Sequence, residues 1–135
     1  MNLTNMFGDF MKKETNISKD KGHSFEDYFK RAVNPFLVLL LLSERPMYVY
    51  EMANELEKRS EGKYCLSLLY PVIYRLVSQG FVIEGEKLIS NDNRVRQYYK
   101  ITSEGLDYLN KIEVIYKQMT ETIKKICEVS GGNIQ

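Results

Sequence analysis

The run Phe36-Leu37-Val38-Leu39-Leu40-Leu41-Leu42 is the longest uninterrupted apolar stretch in the chain and the feature that most limits its fold. It is far shorter than the roughly 20 residues that cross a bilayer, so no membrane partner is expected. A helix apolar on every side has to be surrounded by other elements. The run therefore predicts the central helix of one small domain, and 135 residues suffice for a single modest core. The N-terminus lacks the basic-then-apolar order of a signal peptide, which adds the expectation of a cytoplasmic protein.

Hydrophobic spacing places the other elements around that run. Residues 1–23 show no sustained period and read as a mobile arm with one short helix near residues 3–12. Ser24, followed by Glu26 and Asp27, predicts a helix start that carries Tyr28, Phe29, Ala32 and Val33 at helical spacing. Asn34-Pro35 predicts a break, because the residue before proline is pushed out of the helical region and Pro35 can open the next helix. The core helix then ends between Ser43 and Pro46. Val49, Met52, Ala53 and Leu56 predict an amphipathic helix that stops near Gly62.

Ser67 predicts the cap of a third helix over residues 68–79. Its apolar stripe is Leu69, Val72, Ile73, Leu76 and Val77, while Tyr70, Tyr74, Arg75 and Gln79 lie elsewhere on its surface. Pro71 falls in the first turn, where a missing N–H does least harm, and Gly80 supplies a stop. Residues 81–83 and 98–101 are rich in β-branched and aromatic side chains, and the turn chemistry of residues 90–93 joins them into one β-hairpin. At least one of Tyr98 and Tyr99 is expected in the core, since neighbours on a strand face opposite ways. Thr102-Ser103-Glu104 starts a long last helix. Its residues Leu109, Ile112, Tyr116, Met119, Ile123 and Ile126, spaced by threes and fours, form a seam of coiled-coil type.

Composition narrows the function. A net charge of +1 excludes a surface that binds polyanions everywhere, so affinity for nucleic acid needs an uneven distribution. Residues 63–101 hold six basic against three acidic side chains, a local +3, while residues 36–62 come to −2 and residues 102–135 to −1. Cys65 and Cys127 are distant and have no second pair or histidine cluster, so both read as reduced packing residues. His23 stands alone, no glycine-rich phosphate loop is present, and no set of side chains has matching catalytic roles. Neither an enzyme nor a cofactor or metal is expected.

Three helices, a hairpin and a further helix form the order of a winged helix-turn-helix, a mostly α fold with a small β-hairpin. An α-helix fits the major groove of double-stranded DNA if one face packs on its own core and the other offers hydrogen-bonding groups. On the third helix that outward set is Ser67, Tyr70, Tyr74, Arg75 and Ser78, with Glu55 as a competing ion-pair partner for Arg75. The hairpin tip adds Asn91, Asn93, Arg94 and Arg96, expected along the neighbouring backbone or minor groove. A second reading keeps the fold as a protein-interaction module without DNA binding, motivated by the low net charge and the acidic second helix.

Residues 39–51, LLLLSERPMYVYE; residues 69–76, LYPVIYRL, followed by Gly80; and residues 96–105, RQYYKITSEG, together resemble the PadR family of bacterial transcriptional regulators. The likeness covers residues 36 to 109 in order and spacing. It implies a homodimer that binds an inverted-repeat operator, usually as a repressor, with one recognition helix and one wing per half-site. It also implies that the last helix packs on the partner subunit, in agreement with the seam of Leu109, Ile112, Tyr116, Met119, Ile123 and Ile126. Some members hold a small aromatic effector between subunits, a place that Tyr116 would line. Val49 stands where the family has glycine, and Leu66, Ser67 and Leu68 stand where it has Pro-Gly-Thr. The expected organisation is an arm over 1–23, a DNA-binding unit with an extra N-terminal helix over 24–101, a dimerisation helix over 102–130 and a tail over 131–135.

Overall fold

Six elements follow one another in the computed structural model, which describes residues 24–65 and 69–131. They are α1 (Phe25–Glu44), α2 (Val49–Arg59), α3 (Leu69–Ser78), β1 (Val82–Ile89), β2 (Val95–Ile101) and α4 (Ser103–Val129). The expected arm over 1–23, the helix near residues 3–12, the Ser67 cap and most of the C-terminal tail lie outside the described residues. No helix among the described residues is long and apolar enough to cross a membrane.

The expected break at Asn34-Pro35 does not occur: α1 runs through it, with Pro35 inside the helix. An interior proline removes one rung of the hydrogen-bond ladder and costs about 3 kcal/mol. Burial on the C-terminal side of Pro35 offsets that cost, because Val38, Leu39, Leu41 and Leu42 all enter the core. Asn34 is itself buried, and its side-chain oxygen accepts a hydrogen bond from the Tyr64 hydroxyl. The chain divides into two compact units beside this proline, Met1–Val33 and Asn34–Gln135. In the described part of the first unit, Ser24 Oγ accepts from the Asp27 amide at 3.2 Å and Lys30 pairs with Glu26 at 2.9 Å.

The second unit has one core. Val38, Leu39, Leu41 and Leu42 meet Val49, Met52 and Leu56 of α2, Leu69, Ile73 and Leu76 of α3, and Met47, Val82, Tyr99 and Leu109. The predicted stripe on α3 is thus the buried one. Val49, found where glycine was expected, is buried at the start of α2 and fills core space. The run 36–42 is less enclosed than its composition suggests, since Phe36, Leu37 and Leu40 flank the core and are only partly buried. Cys65 is not a packing residue. It is exposed, and its thiol donates to the Gly62 carbonyl at 3.4 Å.

Helix ends are set by backbone hydrogen bonds. After α3 the Gly80 amide donates to Val77 O at 3.0 Å and the Phe81 amide to Leu76 O at 3.0 Å, with Gly80 at φ 80°. This pair of bonds closes the helix around a left-handed residue that glycine adopts without strain. After α2 the same two bonds run from Glu61 to Lys58 and from Gly62 to Glu57, so the left-handed position belongs to Glu61 at φ 55°.

The strands pair antiparallel, Val82 opposite Ile101 through Ile89 opposite Val95, with a register shift between Glu84 and Lys87. Met47, between α1 and α2, adds a short bridge to Tyr99, with amide-to-carbonyl bonds of 3.3 and 2.9 Å. Thr102 joins the sheet to α4: its amide donates to Phe81 O at 3.0 Å, its hydroxyl donates to Gly80 O at 2.7 Å, and the same oxygen accepts from the Gly105 amide at 3.0 Å.

Candidate nucleic-acid interface

Because Leu69, Ile73 and Leu76 turn α3 toward the core, its opposite face is open to solvent. Tyr70 and Tyr74, one turn apart, are 53% and 57% exposed, with ring centroids 5.9 Å from each other. Arg75 is exposed beside them and enters no ion pair among the described residues. Glu55, the acid proposed as its partner, is occupied by Arg59 at 2.9 Å and Arg45 at 4.0 Å. Ser78 is exposed and its hydroxyl donates back to Arg75 O at 2.8 Å. Ser67 lies outside the described residues.

The hairpin carries the second group. Its tip closes through the Asn93 amide to Ser90 O and the Ser90 amide to Arg94 O, both 2.9 Å, with Asn93 in the left-handed region at φ 62°. Asn91, Asn93 and Arg94 are exposed there. Arg96 is placed differently. It donates to Asp92 Oδ2 at 2.6 Å, and its guanidinium lies 5.1 Å from the Tyr48 ring centroid and 5.5 Å from that of Tyr50. The Ser90 hydroxyl also donates to Asp92.

These contacts set the charge states. The Ser90 hydroxyl and then Arg96 hold the Asp92 carboxyl below the usual carboxylate range, and the bond to Asp92 raises Arg96 in turn. Burial pushes the Tyr48 phenol upward. The Phe81 amide, just after α3, donates to Leu76 O at 3.0 Å, so the hairpin begins directly at the end of that helix. α3 also packs directly on β1. α3 thus exposes two aromatic hydroxyls and an arginine outside any ion pair among the described residues, and the hairpin tip exposes Arg94.

The seam on α4 divides. Leu109 is buried in the core and Ile112 is packed against it, while the Tyr116 ring meets Phe36 at 5.4 Å. Met119, Ile123 and Ile126 are 53%, 48% and 62% exposed, and nothing in the described residues covers them.

Sequence reasoning missed Tyr48, Tyr50 and Asp92 as members of this region. Asp92 lies in the predicted turn and Arg96 shortly after it, so their ion pair had a local signal. The contact of Arg96 with Tyr48 and Tyr50 had none, because it depends on how the hairpin lies against α2.

Three helices with an antiparallel hairpin packed on the third define a winged helix-turn-helix. Residues 38–111 match the Transcriptional regulator PadR-like family. An uncharacterised protein of Lysinibacillus sphaericus is 31% identical over 94 residues, covering 68% of this chain and 85% of that protein. A PadR family transcriptional regulator from Eggerthella lenta has a similar structure, with TM-score 0.67 and 26% identity over 91% of this chain and 97% of that one. A transcriptional regulator from Clostridium thermocellum shares the fold, with TM-score 0.66 and 24% identity over 73% of this chain and 94% of that one. The chain belongs to the PadR-like family of transcriptional regulators.

Proposed function

We propose that this regulator is a homodimer that binds an inverted-repeat operator in double-stranded DNA and acts as a repressor. The observation that carries this reading is the open face of α3, with Tyr70, Tyr74 and Arg75 exposed on it, together with the exposed Arg94 of the wing. An arginine and two phenols on a groove-sized helix can reach both phosphates and base edges. Ser67, which precedes α3 in the sequence, and Asn93 of the wing tip complete the proposed set. The exposed half of the α4 seam, Met119, Ile123 and Ile126, supports a partner subunit as its cover. Residues 24–101 thus act as the DNA-binding unit and 102–130 as the dimerisation helix, in the cytoplasm where the operator is.

The interaction-module reading loses one of its motives. Of the α2 acids, Glu51 and Glu55 are bound by Arg45 and Arg59 within the same chain, which leaves Glu57 as the α2 acid outside any ion pair among the described residues. For a small aromatic effector, Tyr116 is the candidate, and its ring already meets Phe36 at a tilt, with centroids 5.4 Å apart.

The test is binding to the DNA upstream of its own coding region across a salt series. Several phosphate contacts produce a steep fall of affinity with salt, about 0.9 in logarithmic slope per contact. Tyr70→Ala and Arg75→Ala are expected to change sequence preference, at about 1–3 kcal/mol for a lost base contact. No binding at about 50 mM salt to any inverted repeat would exclude the reading.

A further inference from the structure

Arg94 and Arg96 are both bases of the wing, two residues apart, yet their surroundings separate them. The Arg94 side chain keeps 73% of its surface and approaches Asp92 only at 3.9 Å. The Arg96 side chain keeps 19%, donates to Asp92 at 2.6 Å and comes within 3.5 Å of Ser90 Oγ. Its guanidinium also lies over the rings of Tyr48 and Tyr50, and Tyr48 is in turn met edge-on by Tyr98 at 5.3 Å. Asp92 and Ser90 belong to the tip turn, Arg96 to β2, and Tyr48 and Tyr50 to the start of α2. A single side chain therefore ties three separate parts of the fold together.

The chemistry suits arginine. A planar guanidinium can lie on aromatic faces while its edge donates in plane to a carboxylate, a combination an ammonium group cannot reproduce. A phosphate taking Arg96 would have to displace Asp92 and draw the side chain off both rings, whereas Arg94 would give up only a 3.9 Å approach to the same carboxylate.

We propose that Arg96 is a positioning residue that clamps the wing to the N-terminal end of α2, and that Arg94 is the wing arginine that meets a DNA phosphate. This rests on the DNA-binding reading and divides its wing contacts into two roles. Arg96 acts before any DNA arrives, by fixing the direction in which the tip and Arg94 point.

The experiment compares the full-length protein with R94A, R96A and R96K, in two measurements. One is the salt dependence of binding to an operator fragment, and the other is amide hydrogen exchange over residues 89–95 in the free protein. R94A is expected to lower the logarithmic salt slope by about 0.9 without changing exchange. R96A and R96K are both expected to keep the wild-type slope, to weaken binding by the same factor at every salt concentration, and to raise exchange in the tip. Loss of slope in R96A equal to that in R94A would overturn the proposal, as would wild-type binding and exchange in R96K, which keeps the charge. If the wild-type protein binds no DNA while both Arg96 variants loosen the tip, the DNA reading fails and the clamp stands.

Discussion

The carbonyl oxygen of Phe81 lies 2.2 Å from the position that a Cβ on Gly105 would occupy, so the first turn of α4 closes directly onto the backbone that follows α3. The Phe81 carbonyl is also held by the Thr102 amide at 3.0 Å, and moving it would break that bond. Gly105→Ala is therefore expected to destabilise the protein by about 1–3 kcal/mol through overpacking. Helix propensity alone argues the opposite sign, since alanine is favoured over glycine by about 1 kcal/mol in a helix. The urea midpoint decides between them, and an unchanged or raised midpoint would show that this joint is loose.

Glu61 occupies the left-handed position at the end of α2, at φ 55°, where a side chain costs about 1–2 kcal/mol. Glycine adopts this conformation freely but loses more entropy on folding. Glu61→Gly is expected to stabilise the protein by about 0.5–1 kcal/mol, the difference between those effects. Thermal unfolding measures it, and a lowered midpoint would contradict the argument.

Tyr64 donates to the buried Asn34, and burial pushes its phenol up to about 12 from the usual 10. The fold thus favours the neutral form. Its contribution is fully present below pH 10 and is lost as the pH rises from 10 toward 12, because the unfolded phenol ionises first and a phenolate cannot donate to Asn34. Tyr64→Phe is expected to cost about 1 kcal/mol near neutral pH and to flatten the alkaline fall in stability. Denaturant midpoints between pH 8 and 12, taken as about two units either side of the ordinary value, read both effects.

Met119 and Ile123 are half exposed on α4, so charged replacements should leave the monomer's stability within about 0.5 kcal/mol. If a second subunit covers them, Met119→Asp and Ile123→Asp are each expected to weaken self-association by at least about tenfold, or 1.4 kcal/mol. Sedimentation equilibrium reports the change. Unaltered association in both variants would place any dimer contact elsewhere.

What could be read along the chain was what is settled locally. Gly80 ends α3, Thr102 opens α4 and residues 90–93 turn the hairpin because each acts on backbone groups a few residues away or at a joint that the chain itself brings round. Spacing likewise identified Leu69, Ile73 and Leu76 as the buried stripe of α3, which left Tyr70, Tyr74 and Arg75 outward without any knowledge of what they face. Tertiary structure decided the rest. It carried α1 through Pro35, because core burial outweighs a lost hydrogen bond. It ended the enclosed part of the α4 seam near Ile112, because the core reaches no further. It also separated two arginines that local sequence treats alike. Arg96 is held by the rings of Tyr48 and Tyr50, and only folding brings α2 under the wing, while Arg94 extends past that contact and keeps its charge in solvent.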